Sequence, residues 1–145
     1  MRIVLQRVSH GQVMVEDRKI AEIGRGLVIL LGIGPSDTQG QARTLADKVS
    51  KLRIFDDGQG KMNLSVRDTD GQAIVVSQFT LYADTRKGRR PSFTEAAQPE
   101  LARPLVEYFA QELRNLGVPT QTGEFGALMQ VEIHNDGPVT IFLEA

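Results

Sequence analysis

The sequence predicts a single α/β domain over residues 1–145, and three observations carry that prediction. Gly26–Ile33 (Gly-Leu-Val-Ile-Leu-Leu-Gly-Ile) is a continuous apolar run, far short of the roughly 20 residues a membrane span needs, so it reads as a central strand buried on both faces. Ala42, Leu45, Ala46, Val49 and Leu52 recur at i, i+3, i+4, i+7 and i+10, which makes one apolar stripe on a helix from about Thr38 to Arg53. Ala73-Ile74-Val75-Val76 then opens a second buried strand.

The remaining elements follow in order. Ile3, Leu5 and Val8, then Val13 and Val15, then Ile20 and Ile23 form apolar sets separated by Gly, Ser, His or charged residues, and read as short strands. Gly34-Pro35-Ser36-Asp37 breaks the central strand, and Asp56-Asp57-Gly58-Gln59-Gly60 and Asp68-Thr69-Asp70-Gly71 read as turns. Leu101, Leu105, Phe109, Leu113 and Leu116 mark a second helix that Gly117 and Pro119 stop. Pro99 suits a first helical turn, whereas a proline inside a helix removes a hydrogen bond, so the regular part of this helix is expected from about Pro104 onward. Met129, Val131 and Ile133 alternate with polar residues, as do Val139, Ile141 and Leu143. With Asn135-Asp136-Gly137-Pro138 between them, the C-terminus reads as a hairpin.

A chain of 145 residues and 16.0 kDa is long enough for one core, burying about two thirds of its unfolded surface. The composition, 41% hydrophobic and 24% charged, excludes a disordered or fibrous protein. With no cysteine, a disulfide framework, a thiolate nucleophile and a cysteine metal site are excluded. The start, Met1-Arg2-Ile3-Val4-Leu5-Gln6-Arg7, carries no long apolar stretch with a cleavage site, so a cytoplasmic protein is expected. A net charge of −1 excludes broad coating of nucleic acid. The local cluster Arg86, Lys87, Arg89 and Arg90 reads either as a solvated loop or as a place to hold a few phosphates.

A hydrolase usually needs an activated nucleophile or a metal. The chain has two histidines: His10, in an expected turn, and His134, beside the expected hairpin. Neither lies in a metal-binding pattern, and surface or structural roles suit both better than catalysis. Asp56, Asp57, Asp68 and Asp70 sit in turn segments, where aspartate serves backbone geometry.

Two segments stand out. Ser77-Gln78-Phe79-Thr80-Leu81 sets hydrogen-bonding side chains at the carboxyl end of a buried strand, where open sheets hold ligands; taken alone, it reads first as a strand turning amphipathic as it leaves the core. In Gly137-Pro138 the cis peptide has a lowered cost, though the default stays trans because only about 5 to 6% of such bonds are cis.

At these segments the chain resembles the D-aminoacyl-tRNA deacylase family, whose hallmarks are an S-Q-F-T-L strand end and an N-x-G-P-V-T turn. They stand here as Ser77–Leu81 and as Asn135 to Thr140. Gln6-Arg7-Val8, Arg89-Arg90-Pro91-Ser92-Phe93 and the stretch from Thr122 to Met129 match as well. The resemblance implies an α/β fold whose two sheets curl into a barrel-like core flanked by helices, assembled as a homodimer with active sites at the interface. It implies hydrolysis of the ester of D-aminoacyl-tRNA, and of glycine mischarged on tRNA-Ala. By the same likeness Ser77, Gln78, Phe79 and Thr80 form the catalytic corner. Gly137 and Pro138, joined by a cis peptide and pinned by Arg7, enter the partner's site as the chiral selector. Phe125, Gly126 and Met129 match the pocket for the terminal adenine.

The partners expected are aminoacyl-tRNA, its phosphates held by Arg86, Lys87, Arg89 and Arg90, and a second copy of the chain. No cofactor, metal, membrane or DNA is expected. An activated ester needs positioning more than a strong base, so the Phe79 N–H as oxyanion donor and a ribose hydroxyl as helper suffice. A nucleophilic Thr80 ranks lower because no base to activate it is visible. The rivals are a non-catalytic tRNA-binding or editing-like module and the related animal-type enzyme that removes L-alanine. Ser77-Gln78-Phe79 and Arg7 argue against the second.

Overall fold

A computed structural model describes residues 1–145. The longest apolar run becomes β3 (Gly26–Gly32), and it holds the middle of the sheet because both its faces are covered. Leu27, Ile29 and Leu31 face one core and Val28 faces another, so the run carries no polar alternation. On one side of β3 lies β1 (Arg2–Val15), antiparallel; on the other lies β6 (Gln72–Ser77), parallel, followed by the short β7 (Thr120–Thr122). The far half of β1 pairs with β2 (Arg18–Ile23). The Gln121 side chain of β7 then accepts from the Glu22 N–H at 3.0 Å and donates to the Glu22 carbonyl at 2.6 Å on β2. One amide thus bridges the ends of the sheet and nearly closes the barrel.

The barrel interior is filled by Val8, Val13, Ala21, Ile23, Val28, Ile74 and Val76. The larger core lies outside, between the sheet and two helices, α1 (Gln39–Lys51) and α2 (Pro99–Asn115). Ala42, Leu45, Ala46 and Val49 of α1 are buried there, as their spacing predicts, and so are Phe109 and Leu113 of α2, each at 0% exposure. Burial of a side chain of that kind contributes roughly 1.5–3 kcal/mol. Thr38 precedes α1, its N–H donating to the Gln41 side chain at 2.8 Å. The turns expected around Asp57 and Asp68 are present. The first follows β4 (Phe55–Asp56) and leads into its small antiparallel partner β5 (Met62–Leu64).

Three expectations give way. First, β1 is not split at Ser9–Gly11 but runs through 14 residues. Gly11 is there for close packing, since a Cβ on it would lie 2.7 Å from Val28 Cγ2 inside the barrel. Second, α2 begins at Pro99, not near Pro104. The N–H groups of Leu101 and Ala102 already bond the Gln98 carbonyl, and Pro104 lies on the exposed side together with Glu100, the residue whose carbonyl a proline cannot meet. Burial of Leu105, Val106 and Phe109 outweighs that one bond.

Third, the C-terminus is no hairpin. It is a single strand, β8 (Met129–Glu144), antiparallel to β1 from Val15↔Met129 to Arg2↔Glu144. The register jumps from Val8↔Asn135 to Gln6↔Thr140, so four residues, Asp136 through Val139, bulge opposite Arg7 alone. The turn-like composition of this stretch is real, but β1 is long enough to partner both halves.

Candidate active site

β6 runs through the core to Ser77, and the Gln78 N–H makes a last sheet bond to the Leu31 carbonyl at 2.8 Å. The chain then enters a 3-10 turn, Phe79–Tyr82, rather than extending as strand to Leu81. Phe79 begins this turn, so its N–H has no acceptor within it. Its ring is 56% exposed and stands edge-on to Phe93, with centroids 5.0 Å apart.

Beside this turn opens a cleft of about 630 Å³. Ser77, Gln78 and Phe79 form one wall; Phe125, Gly126 and Met129 form another; Ala102 and Val106 of α2 and the Gln98–Pro99 entry to that helix close the side. The lining is chiefly apolar, with few side chains able to orient a ligand by hydrogen bonds. Arg103 lies over the Phe125 ring, its guanidinium carbon 4.8 Å from the centroid. The expected adenine-pocket residues therefore share one cavity with Ser77, Gln78 and Phe79 of the expected catalytic corner, while Thr80 does not line it. Sequence reading did not assign Phe93 or Gln98 to it, nor Arg103 to the Phe125 ring beside it.

Thr80 is exposed, and its hydroxyl accepts a hydrogen bond from the Gln78 side-chain amide, which is no base. The histidines are elsewhere: His10 is in β1, not in a turn, and faces His134 across β1 and β8 with ring centroids 5.1 Å apart. No group of three or more His, Asp or Glu side chains is arranged to hold a metal ion.

Arg7 and Gly137–Pro138 form a second constellation. Arg7 is buried at 5% exposure; its Nε donates to the Asp136 carbonyl at 2.9 Å and its Nη1 to the Ile54 carbonyl at 2.8 Å, with the Asp56 carboxylate 3.3 Å away. The Asn135 side chain accepts from the Val139 N–H at 3.0 Å and donates to the Thr140 hydroxyl at 3.0 Å, tying the two feet of the bulge together. At its crest Gly137 and Pro138 are exposed, and the peptide between them is cis rather than the default trans. Gly137 has φ +135°, and a Cβ there would meet Val139 Cγ2 at 2.8 Å.

The two constellations are not brought together within the chain. Arg7 pairs with Leu27 and Leu27 with Ala73, while Ser77 is four residues further along β6 and three strands from β8, a separation on the order of 20 Å over the sheet.

The basic loop sits at the cleft's edge. Asp84 and Ser92 exchange two backbone bonds that close it, with Phe93 following directly. Arg86 is engaged: its Nε and Nη2 clamp both Asp84 carboxylate oxygens at 2.8 and 2.7 Å. That guanidinium holds the Asp84 carboxyl well below the usual carboxylate range. Lys87, Arg89 and Arg90 are exposed and form no ion pair.

Fold and cleft define a small α/β domain with one nearly closed sheet, two flanking helices and an apolar cleft of a size suited to a small ligand. The profile of the family described as D-Tyr-tRNA(Tyr) deacylase matches residues 4–144. A D-aminoacyl-tRNA deacylase of Roseiflexus castenholzii is 59% identical over 145 residues, covering 100% of this chain and 92% of that protein. One from Thermomicrobium roseum is 57% identical over 100% of this chain and 94% of its own length. Among solved structures, a chain described as c-Myc DNA Unwinding Element Binding Protein superposes with TM-score 0.94 at 42% identity, covering 100% of this chain and 99% of that one. A structure of a "probable eukaryotic D-amino acid tRNA deacylase" shares the fold at TM-score 0.84 and 18% identity, covering 98% and 97%. The chain belongs to the D-Tyr-tRNA(Tyr) deacylase family, a family of hydrolases. No helix is long and apolar enough to cross a membrane.

Proposed function

We propose that this enzyme hydrolyses the ester bond of D-aminoacyl-tRNA in the cleft beside Phe79, working as a homodimer in which each site borrows Gly137 and Pro138 from the partner. The observation that carries the reading is the pairing of an apolar cleft without a side-chain base with an exposed main-chain bulge that its own cleft does not use. The free N–H of Phe79 stabilises the oxyanion that develops as water attacks the ester carbonyl. The ester is already activated, and the neighbouring ribose hydroxyl of the substrate assists the water, so orientation supplies most of the rate.

The carbonyls of the partner's Gly137 and Pro138 accept from the substrate amino group and fill the space an L side chain would enter. A D side chain points to solvent, and glycine, with nothing to clash, is also cleaved when mischarged on tRNA-Ala. The terminal adenine stacks against Phe125 between Gly126 and Met129. Lys87, Arg89 and Arg90 meet phosphates of the acceptor arm, while Arg86 braces their loop through Asp84. The 42% identical structure carries a name that speaks of DNA. A chain of net charge −1 with its free cations in one loop favours a few local phosphates over a duplex-length track.

The test is release of D-tyrosine from D-Tyr-tRNA, run beside L-Tyr-tRNA and a duplex DNA competitor. We expect rapid release from the D ester alone, undisturbed by the duplex. Equal rates on both esters, or binding without turnover, would refute the proposal; the latter outcome would favour the non-catalytic module.

A further inference from the structure

The 3-10 turn Phe79–Tyr82 presents its working residues to solvent, and Tyr82 is its one buried member, at 8% exposure. Around Tyr82 the chain has built a seat. The phenol reaches Asp37 Oδ2 at 3.5 Å. Asp37 is itself buried at 7%, accepting from the Gly34 N–H at 2.6 Å and from the Met1 ammonium at 2.6 Å. Arg2 lies over the phenol ring at 4.4 Å and donates from Nη1 to the Leu81 carbonyl at 3.0 Å, so it holds both the ring and the turn's backbone. Two glycines make room. A Cβ at Gly34 would stand 2.8 Å from the Tyr82 hydroxyl, and one at Gly32 would stand 3.0 Å from both the Gln78 carbonyl and Leu81 Cβ.

The turn's other restraints are the sheet bond of Gln78 to Leu31, its own backbone bonds from Leu81 to Gln78 and from Ala83 to Thr80, the Gln78–Thr80 side-chain bond and the edge contact of Phe79 with Phe93. Phe93 belongs to the segment that follows the basic loop and is itself 37% exposed. Tyr82 is what anchors the turn's far end to the buried interior.

We infer that Tyr82, seated by Asp37, Arg2, Gly32 and Gly34, is a positioning residue that fixes where the Phe79 N–H points. This rests on the reading of Phe79 as the oxyanion donor. Burial, with Asp37 nearby, pushes the Tyr82 hydroxyl up to about 12, so it remains a neutral donor throughout the range in which aminoacyl esters survive. A donor aimed at a developing charge acts only in the transition state. Loosening its seat therefore lowers the chemical rate and leaves ground-state binding of tRNA alone.

The experiment is single-turnover hydrolysis of D-Tyr-tRNA at saturating enzyme, with tRNA affinity measured separately and the Phe79 amide followed by NMR. Tyr82→Phe keeps the ring in its slot and removes only the hydroxyl. It is expected to slow hydrolysis about tenfold with unchanged affinity and to shift the Phe79 amide resonance. Gly34→Ala, which drives a methyl into the same hydroxyl, is expected to slow it by on the order of 100-fold. A wild-type rate in both variants, or equal loss of rate and affinity, overturns the inference. An unslowed Phe79→Pro enzyme would instead refute the reading of Phe79, so the two failures are distinguishable.

Discussion

Replacing Phe79 by proline deletes a single N–H and little else that the fold needs. The residue opens a 3-10 turn, where that N–H has no acceptor and where proline's fixed φ is tolerated. Its side chain is 56% exposed, so no core contact is lost. The edge-on pair with Phe93 is lost, and Phe79→Ala, which keeps the N–H, serves as the control for it. An aromatic pair contributes about 0.5–1.5 kcal/mol, which bounds the control at about a tenfold change. An oxyanion donor contributes about 2.7–4 kcal/mol, so the proline variant should lose a further 100- to 1,000-fold or so in rate. The assay is single-turnover release of labelled D-tyrosine from its tRNA, with circular dichroism confirming that both variants fold. A proline variant no slower than the alanine variant would refute the assignment of the Phe79 N–H to the reaction.

Two further outcomes follow from the same geometry. Gly137→Ala should inactivate the enzyme under the proposed two-subunit site, because Gly137 has φ +135° and its Cβ would press on Val139. Mixed and exchanged with Phe79→Pro subunits in equal amounts, it should recover about one quarter of wild-type activity, since half the dimers then hold one intact site of two; a mixture as inactive as its parents would refute site sharing. In the basic loop, Lys87→Ala, Arg89→Ala and Arg90→Ala should each reduce the salt dependence of tRNA binding by about one counterion, while the double variant Asp84→Ala with Arg86→Ala should leave it unchanged, as seen in plots of log affinity against log salt. A double variant that lowers the slope as much as Lys87→Ala would show that Arg86 is not committed to Asp84.

Legibility in the sequence tracks the range over which each feature is determined. The central strand and α1 were readable because burial on two faces and a helical stripe are written into neighbouring residues. The Ser77–Leu81 corner was readable as chemistry, although its turn from strand to 3-10 geometry was not. The C-terminal strand was misread because alternation around Asn135–Pro138 is shared by a hairpin and a bulge; what separates them is the unbroken length of β1, more than a hundred residues earlier. Ser9–Gly11 conceals that length, since in sequence a glycine fitted against Val28 looks like a glycine in a turn. The start of α2 depended on how much apolar surface lay beyond Pro104, which local rules cannot weigh. Arg103 stayed hidden for a similar reason, because its relation to Phe125 exists only once α2 packs beside the cleft.

The four-for-one bulge in β8 has a mechanical consequence. A hairpin tip is cantilevered and swings on its stem, whereas this protrusion is moored at both feet in the ladder to β1 and cinched beneath by a guanidinium. Its crest can extend into another molecule without losing aim, as a span between two abutments deflects less than a diving board of equal reach.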